Sequence, residues 1–196
     1  MNKCFFMRAK DEKSYTGLII SNYDSNDTNP LLPLLSQEFP DWPIDKIKSY
    51  MPSCTLSTDI IVGFPGETDQ DFKDTLDIVS NVQFNSSFMF KYSSRPGTKA
   101  AEYSDQIPET VKQERLEELI KLQKEITHEV NSSYIGKELH VIVEKESKKS
   151  NDQWAGRTEG NTWVIFDKMN FKLKDTVTLR IHDAQGVTLF GTPVVS

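Results

Sequence analysis

The chain has 196 residues, a net charge of −6, 37% hydrophobic and 27% charged residues. These values are typical of a soluble globular protein with one large or two small domains, and no apolar run approaches the ~20 residues of a membrane span. The two cysteines, Cys4 and Cys54, exclude a disulfide framework and have no metal-ligand spacing. We therefore expect a cytoplasmic protein.

The charge is spread unevenly along the chain. Residues 1–134 carry a net charge of −7, whereas residues 135–196 carry +1 and contain small basic clusters. Such asymmetry indicates two domains, of which the second could meet a polyanion. Ordinary solvated charge is equally compatible with these counts.

The first 50 residues contain few structural signals and no recognisable chemistry. The segment Gly17–Ile20 predicts a short strand, and the Asn-, Asp-, Ser- and Pro-rich residues 22–33 predict a loop. Residues 44–51 predict a short helix that Pro52 ends.

A strand, a glycine-rich turn and a helix follow. Asp59–Val62 is rich in β-branched residues and predicts a buried strand of a parallel sheet. Thr68 and Asp71 predict a helix N-cap with a variant capping box. Backbone can approach a ligand closely at Gly63 and Gly66, and the helix end offers free N–H groups. The pattern favours a cofactor site and a merely structural turn about equally.

The next segments complete a strand–helix–strand unit. The helix has apolar residues from Phe72 to Val79 at spacings of three and four, and Phe88–Tyr92 predicts the second strand. A strand–helix–strand unit of about 35 residues predicts a parallel sheet. The loop at residues 93–98 then lies at a carboxyl strand end, where such sheets bind ligands. Arg95 in this loop could pair with a carboxylate or phosphate, or be a plain surface arginine.

The last third of the chain changes its period. A long amphipathic helix is predicted from Pro108, with Glu109 in its first turn, to about Ser132, leading into a second domain. From Gly136 apolar residues alternate, and turn residues separate short strands. The segments that predict strands are Leu139–Val143, Thr162–Phe166, Thr176–Ile181 and Thr188–Gly191. The pattern indicates five short strands in about 60 residues, of which these four can be placed, and predicts a small closed or nearly closed β-barrel of the OB type.

Three motifs resemble the tRNA methylthiotransferase family, specifically its MiaB branch, in the family's order and spacing. They are Ser57–Thr68, Phe88–Thr98 and the set Ser147-Lys-Lys-Ser, Gly156-Arg-Thr158 and Asn161. The first two resemble the late strands of a radical S-adenosylmethionine (SAM) partial TIM-like barrel, and the third resembles the RNA-binding TRAM β-barrel. The resemblance, which covers about residues 45–196, implies an α/β domain followed by an all-β domain. Its implied boundaries are an unmatched segment 1–44, a partial radical SAM domain with a long C-terminal helix at 45–134, and a TRAM domain at 135–196.

The family attaches a methylthio group to C2 of an N6-isopentenylated adenosine beside the tRNA anticodon, using SAM and two 4Fe-4S clusters. Its Cys-x3-Cys-x2-Cys motif is absent here, and Cys4 and Cys54 cannot supply three ligands to one cluster. We therefore expect a C-terminal fragment, or a product with an altered start, that is inactive alone. The implied partners are the tRNA anticodon stem-loop and a missing N-terminal half of the same protein. The alternatives are a non-catalytic RNA-binding protein that keeps only the TRAM function, and an unrelated α/β protein with an OB-like appendage.

The resemblance also implies a cofactor wall. Its residues are Asp59, Gly63, Pro65, Gly66, Glu67, Tyr92, Arg95 and Gly97. Packing in the core is an equal alternative for Tyr92. No catalytic acid or base and no metal ligand is assigned, because radical chemistry of this type draws its power from the cofactor.

The TRAM-like part implies a set of RNA contacts. Its residues are Lys145, Lys148, Lys149, Trp154, Arg157, Thr158 and Asn161. The cations can neutralise phosphates. Trp154, with Trp163 as second choice, can stack on a splayed base, and the two polar residues can bond a base edge or a 2′-hydroxyl. Taken alone, the Lys148-Lys149 pair is more often a solvated turn.

Overall fold

The computed structural model describes residues 3–8, 15–21 and 54–194. The chain divides into two compact units, residues 1–123 and 124–196, and the division falls within a long helix. None of the described helices is long and apolar enough to cross a membrane. The elements of the first unit are β1 (Lys3–Arg8), β2 (Tyr15–Ser21), β3 (Thr55–Val62), α1 (Asp69–Val82), β4 (Ser86–Lys91), a 3-10 helix (Lys99–Glu102) and the start of α2 (Glu109–Ser132).

The predicted strand–helix–strand unit is confirmed. Strands β3 and β4 pair in parallel, with Asp59 opposite Phe88 and Val62 opposite Lys91, and α1 connects them. In β3 the side chains of Leu56, Thr58, Ile60 and Val62 are buried, which confirms the predicted buried strand.

The other edge of β3 differs from the prediction of a wholly parallel sheet. Strand β2, which contains the predicted Gly17–Ile20 strand, pairs antiparallel with β3, and β1 pairs antiparallel with β2. The sheet order is therefore β1-β2-β3-β4 with mixed directions. Antiparallel neighbours need no crossover helix and often extend a parallel sheet. The predicted loop at 22–33 and helix at 44–51 lie outside the described residues.

Both helices begin where the sequence predicts. At α1, the Thr68 hydroxyl accepts a hydrogen bond from the Asp71 N–H, and the Asp71 carboxylate accepts one from the Thr68 N–H at 2.8 Å. This capping box satisfies two N–H groups at the helix end. Helix α2 begins at Glu109, directly after Pro108, and its 24 residues correspond to a length of about 36 Å.

The second unit contains the end of α2 and a closed barrel. Its strands are β5 (Glu138–Glu146), β6 (Gln153–Thr158), β7 (Trp163–Asp167), β8 (Thr176–Gln185) and β9 (Thr188–Pro193). The strand order around the barrel is β5-β6-β7-β9-β8, and β8 pairs back to β5. All pairs are antiparallel except β7 with β9. This confirms the predicted small β-barrel of the OB type.

Alternation along the strands fills the barrel. Val164 and Phe166 of β7, and Leu189 of β9, point inward and are almost completely buried. They pack with Leu179 and Ile181 of β8 in one apolar cluster. A small barrel has room for side chains only, so this interior is a packed core.

Strand β6 was not predicted, because Ala155 and Gly156 give it little β-propensity. The structure explains the glycine. A Cβ at Gly156 would lie 2.5 Å from the Ile142 carbonyl oxygen and 2.6 Å from Val141 Cγ1. Gly156 therefore permits the close approach of β5 and β6 that closes the barrel.

Candidate functional site

The glycine turn after β3 is packed against α2. Gly63 has φ +73°, and the position of its missing Cβ is 2.4 Å from Lys112 Cγ. The stem of Lys112 therefore occupies the space that the glycine leaves open. Gly66, at φ +82°, donates its N–H to the Asp105 carbonyl at 3.0 Å. Both glycines serve the path of the backbone, and the turn leaves no gap beside Gly63 for a ligand.

Glu67 is held by two internal partners. Its Oε2 accepts the Gly63 N–H at 2.7 Å, and its Oε1 pairs with Arg115 Nη1 at 2.8 Å. The side chains of Glu67 and Arg115 are only 14% and 7% exposed, so Arg115 is buried and Glu67 is largely buried. The same guanidinium reaches the exposed Asp69 carboxylate at 2.7 Å and lies over the Phe72 ring. These contacts fix the turn at the N-terminus of α1.

Burial decides the electrostatics of the pair. Desolvation raises the pKa of Glu67 above its ordinary value, although the Gly63 N–H and the Arg115 charge act in the opposite direction. The Glu67 carboxylate is bonded to the Gly63 N–H and to Arg115 instead of water, so it links the turn to α2. It has little capacity left for a ligand.

Tyr92 and Asp59 differ from Glu67, because their polar atoms are not paired with the residues that the structure describes. The Tyr92 ring contacts Phe64 edge-on at 5.2 Å, with Lys112 Nζ 5.3 Å from its centroid. Its hydroxyl is buried and has no hydrogen-bond partner in the described part of the chain. Asp59 is half-buried on the sheet face that also carries Ile61, and its carboxylate makes no ion pair with any described residue.

The remaining predicted cofactor residues are spread over the turn and the next loop. Pro65 is buried within the turn. Arg95 and Gly97 are exposed after β4, where the Arg95 carbonyl accepts the Thr98 hydroxyl at 2.8 Å. Among described residues, no hydrogen bond joins this loop to the glycine turn. The cofactor assignments stay predictions.

The second candidate site is the outer face of β6, β7 and β9. Trp163 pairs with Arg157 on one side and with Thr188 on the other, and Ile165 pairs with Ala155 and Phe190. These residues alternate with the inward core residues, so they share the outward face. In OB barrels the corresponding face, with the loops beside it, binds oligonucleotides.

A pocket of about 310 Å³ lies on this face. Trp163, Ile165 and Phe190 give it an apolar wall. Ser147, Lys148 and Lys149 line it from the β5–β6 turn, with Lys145, Gln153, Ala155, Gln185 and Thr188 around them. Three lysines and no carboxylate line the pocket, so its potential favours an anion.

The lysines differ in their partners. Lys145 Nζ lies 4.1 Å from the Trp163 ring centroid, and Arg157 Cζ lies 4.2 Å from the same centroid. Trp163 is therefore an aromatic anchor for two cations. Lys148 and Lys149 are exposed and form no ion pair within residues 54–194. Their charges remain available to a partner.

Three predicted RNA residues have structural roles outside the pocket. Trp154 packs against the core, and its Nε1–H donates to the Phe171 carbonyl at 3.2 Å. The Thr158 hydroxyl accepts the Thr162 N–H at 3.1 Å, and Asn161 accepts a hydrogen bond from Arg157. The hydrogen bonds of Thr158 and Asn161 order the β6–β7 turn. The structure brings together Lys145, Lys148 and Lys149, with Arg157 beside them across Trp163.

Sequence reasoning missed several lining residues. The sequence patterns place Ile165 and Phe190 in strands and Gln185 in a turn, and they assign no role to Gln153. The phase of the alternation could have revealed two of them. Since Val164, Phe166 and Leu189 are the most apolar phase, Ile165 and Phe190 stand out as large apolar residues of the outward phase.

Comparison with known proteins supports both parts of the chain. Residues 132–194 match the TRAM domain model. A tRNA-2-methylthio-N(6)-dimethylallyladenosine synthase of Christiangramia forsetii is 45% identical over 152 residues, which are 77% of this chain and 32% of that protein. Enzymes of the same name from Parabacteroides distasonis and Fusobacterium nucleatum are 42% and 46% identical, over 79% and 76% of this chain and 35% and 34% of their own.

Over its matched part, this chain is similar to enzymes of the MiaB branch of the tRNA methylthiotransferase family. The resemblance inferred from the three motifs is thus confirmed. The chain spans about a third of the length of the curated relatives that it matches. The boundaries expected at residues 44 and 134 stay predictions.

Proposed function

We propose that the β-barrel binds tRNA, and that the chain is part of an enzyme that methylthiolates C2 of N6-isopentenyladenosine beside the anticodon. The lysine-lined pocket on the outer barrel face carries the first half of this proposal. It combines unneutralised cations with aromatic surface, which is the combination that single-stranded nucleic acid requires. The names of the relatives support the second half, and cytoplasmic tRNA would be the substrate.

Such an enzyme uses 4Fe-4S clusters and SAM as cofactors. The residues of this chain do not fit a cluster, whereas they partly support a SAM site. A 4Fe-4S cluster needs at least three cysteine thiolates here, and the chain has two cysteines. Among the described residues, no three His, Cys, Asp or Glu side chains group as metal ligands. We therefore assign this chain no step that involves a cluster, and we expect RNA binding without catalysis from it alone.

For SAM, we propose that Asp59 and Tyr92 are the contacts from this chain. The Tyr92 hydroxyl is buried without a hydrogen-bond partner, and the Asp59 carboxylate makes no ion pair, in the described part of the chain. The partial TIM-like barrel, of which β3, α1 and β4 would be the late strands and helix, belongs to the same proposal. Gly63 and Glu67 would support this wall without contacting SAM. Lys112 fills the space beside Gly63, and Arg115 pairs with Glu67.

The exposed lysine pair of the β5–β6 turn tests RNA binding. The variant Lys148→Ala with Lys149→Ala should weaken binding of an anticodon stem-loop RNA by the full chain. It should also reduce the slope of log K against log salt by about 0.7 to 0.9 for each lysine, because fewer counterions are released. Fluorescence anisotropy at several salt concentrations measures both quantities.

The matched control is the double variant Lys172→Ala with Lys174→Ala. It removes the same charge from two exposed lysines that do not line the pocket. Its effect on affinity and on the salt slope should be smaller. Equal effects from both pairs would mean that RNA responds to net charge only, and unchanged affinity in the first pair would remove RNA from this turn.

A further inference from the structure

We propose that the pocket binds one unpaired RNA nucleotide, whose base stacks on Phe190 and carries an exocyclic amino group. This inference rests on the proposed RNA-binding function and adds to it a defined base site with a base preference. Adenine, cytosine and guanine present such an amino group on the edge used for pairing, whereas uracil does not; guanine also presents a carbonyl oxygen there, which an acceptor would repel.

The size and charge of the pocket suit a single nucleotide. Its volume of about 310 Å³ is at the small end of ligand sites. A duplex is contacted across its grooves and backbone instead, and only an unstacked base can enter a pocket of this size. Lys148 and Lys149 border the pocket and are free to meet the phosphate of the same nucleotide.

Phe190 is the open stacking surface. Trp163 already has Lys145 and Arg157 within 4.2 Å of its centroid, so a base would have to displace a cation from it. Phe190 lies opposite Ile165 on the next strand, is half-buried, and has no ring or cation contact among the described residues. An aromatic ring held in a strand with one face free is a ready platform for a base.

Two glutamines give the pocket its hydrogen-bonding character. The Gln185 Nε2 donates to an Asp183 carboxylate oxygen at 2.8 Å, and the Gln153 Nε2 approaches Asp167 at 3.4 Å. A carboxylate only accepts hydrogen bonds, which fixes the nitrogen of each amide toward the acid. The amide oxygens are therefore left as acceptors. They match an amino group and repel the carbonyl oxygen that uracil has in its place.

The base preference is tested by anisotropy with short fluorescein-labelled homopolymers of adenylate, cytidylate and uridylate, using the full chain. Adenylate and cytidylate should bind about two- to tenfold tighter than uridylate, as expected for about one hydrogen bond. The exposed Gln185 can be changed without disturbing the barrel. The variant Gln185→Ala should reduce this preference and leave the salt slope unchanged.

The stacking surface is tested by Phe190→Ala, which should weaken adenylate binding about tenfold. Phe190→Leu keeps apolar volume and should lose most of the same affinity, so a misfolded alanine variant does not decide the result. Leu173→Ala, an exposed apolar residue that does not line the pocket, should change nothing. Circular dichroism checks the fold of each variant.

The outcomes separate this inference from the function on which it rests. Equal binding of all three homopolymers, or full adenylate affinity in Phe190→Leu, would overturn the base site. RNA binding as such would then stand if the Lys148 and Lys149 variant still binds more weakly. Failure of every RNA to bind at low salt would remove both proposals together.

Discussion

The glycine turn and the outer barrel face carry similar residues with opposite availability. In the turn, Glu67 is enclosed by Gly63 N–H and Arg115, and the side chain of Lys112 fills the space beside the glycine. On the barrel face, Lys148 and Lys149 are exposed and make no ion pair within residues 54–194. Both regions contain charged and aromatic residues of the kind that sequence patterns associate with binding.

The glycine turn and the outer barrel face differ in which partners satisfy their polar groups. A buried charge must find its partners inside the protein, since an unpaired one costs several kcal/mol. An exposed lysine is satisfied by water and can exchange that water for a phosphate. The barrel face is therefore the stronger binding candidate, although the glycine turn has the more recognisable sequence motif.

The largest expected effect comes from breaking the buried pair in the turn. Arg115→Met leaves the Glu67 carboxylate buried without its guanidinium, which should destabilise the turn by about 3–5 kcal/mol. Native-state hydrogen exchange of residues 63–72 measures this local free energy of opening. It separates the first unit from the barrel, for which a single unfolding transition would not be informative.

The control for this prediction is an ion pair of the same type on the surface. Arg180 and Glu138 approach to 2.6 Å, but their side chains are 64% and 44% exposed. Arg180→Met should therefore cost no more than about 1 kcal/mol in the barrel. If both variants cost the same, the turn is no more tightly held than the surface, and Glu67 would be available to a ligand after all.

Local signals in the sequence were sufficient for most of the first unit. Thr68 and Asp71 form the predicted capping box because capping depends on residues three apart. Pro108 marks the start of α2 for a similar local reason. The antiparallel pairing of β2 with β3 could not be predicted, since strand direction depends on contacts between distant segments. The partners of Glu67 were hidden for the same reason, because Arg115 lies 48 residues away.

The barrel shows the same limit in another form. The closure of the barrel and four of its strands could be predicted from alternating β-branched residues. Strand β6 could not, because it contains Gly156, which is needed to leave space for the Ile142 carbonyl oxygen. The sequence placed Trp154 before Trp163 as the stacking residue, whereas Trp163 lines the pocket and Trp154 does not. Trp154 points inward to the core and Trp163 outward, and only the register of β6 on β7 distinguishes them.

The two tryptophans provide the next prediction, with a smaller effect. Trp154→Phe removes the N–H that binds the Phe171 carbonyl and should destabilise the barrel by about 1 kcal/mol, with RNA affinity unchanged. Trp163→Leu removes the ring beneath Lys145 and Arg157, and should weaken RNA binding about two- to fivefold with little loss of stability.

Urea unfolding and stem-loop anisotropy on both variants separate the two roles. Each variant is the control for the other, because Trp154→Phe should lower stability but not RNA affinity, and Trp163→Leu should lower RNA affinity with little loss of stability. A larger loss of RNA affinity in Trp154→Phe than in Trp163→Leu would return the stacking role to Trp154. It would also contradict the assignment of the outer face as the binding surface.

The smallest expected effect is the pH dependence of the turn. Burial raises the pKa of Glu67 above 4.5, so the folded turn holds this proton more tightly than the unfolded chain does. The associated stability is fully present below pH 4.5 and is lost as the pH rises through the folded pKa. The opening free energy of residues 63–72 should therefore fall with rising pH relative to Glu67→Gln, which cannot titrate. A rise instead would mean that Arg115 outweighs burial, and that the turn is held mainly by charge attraction.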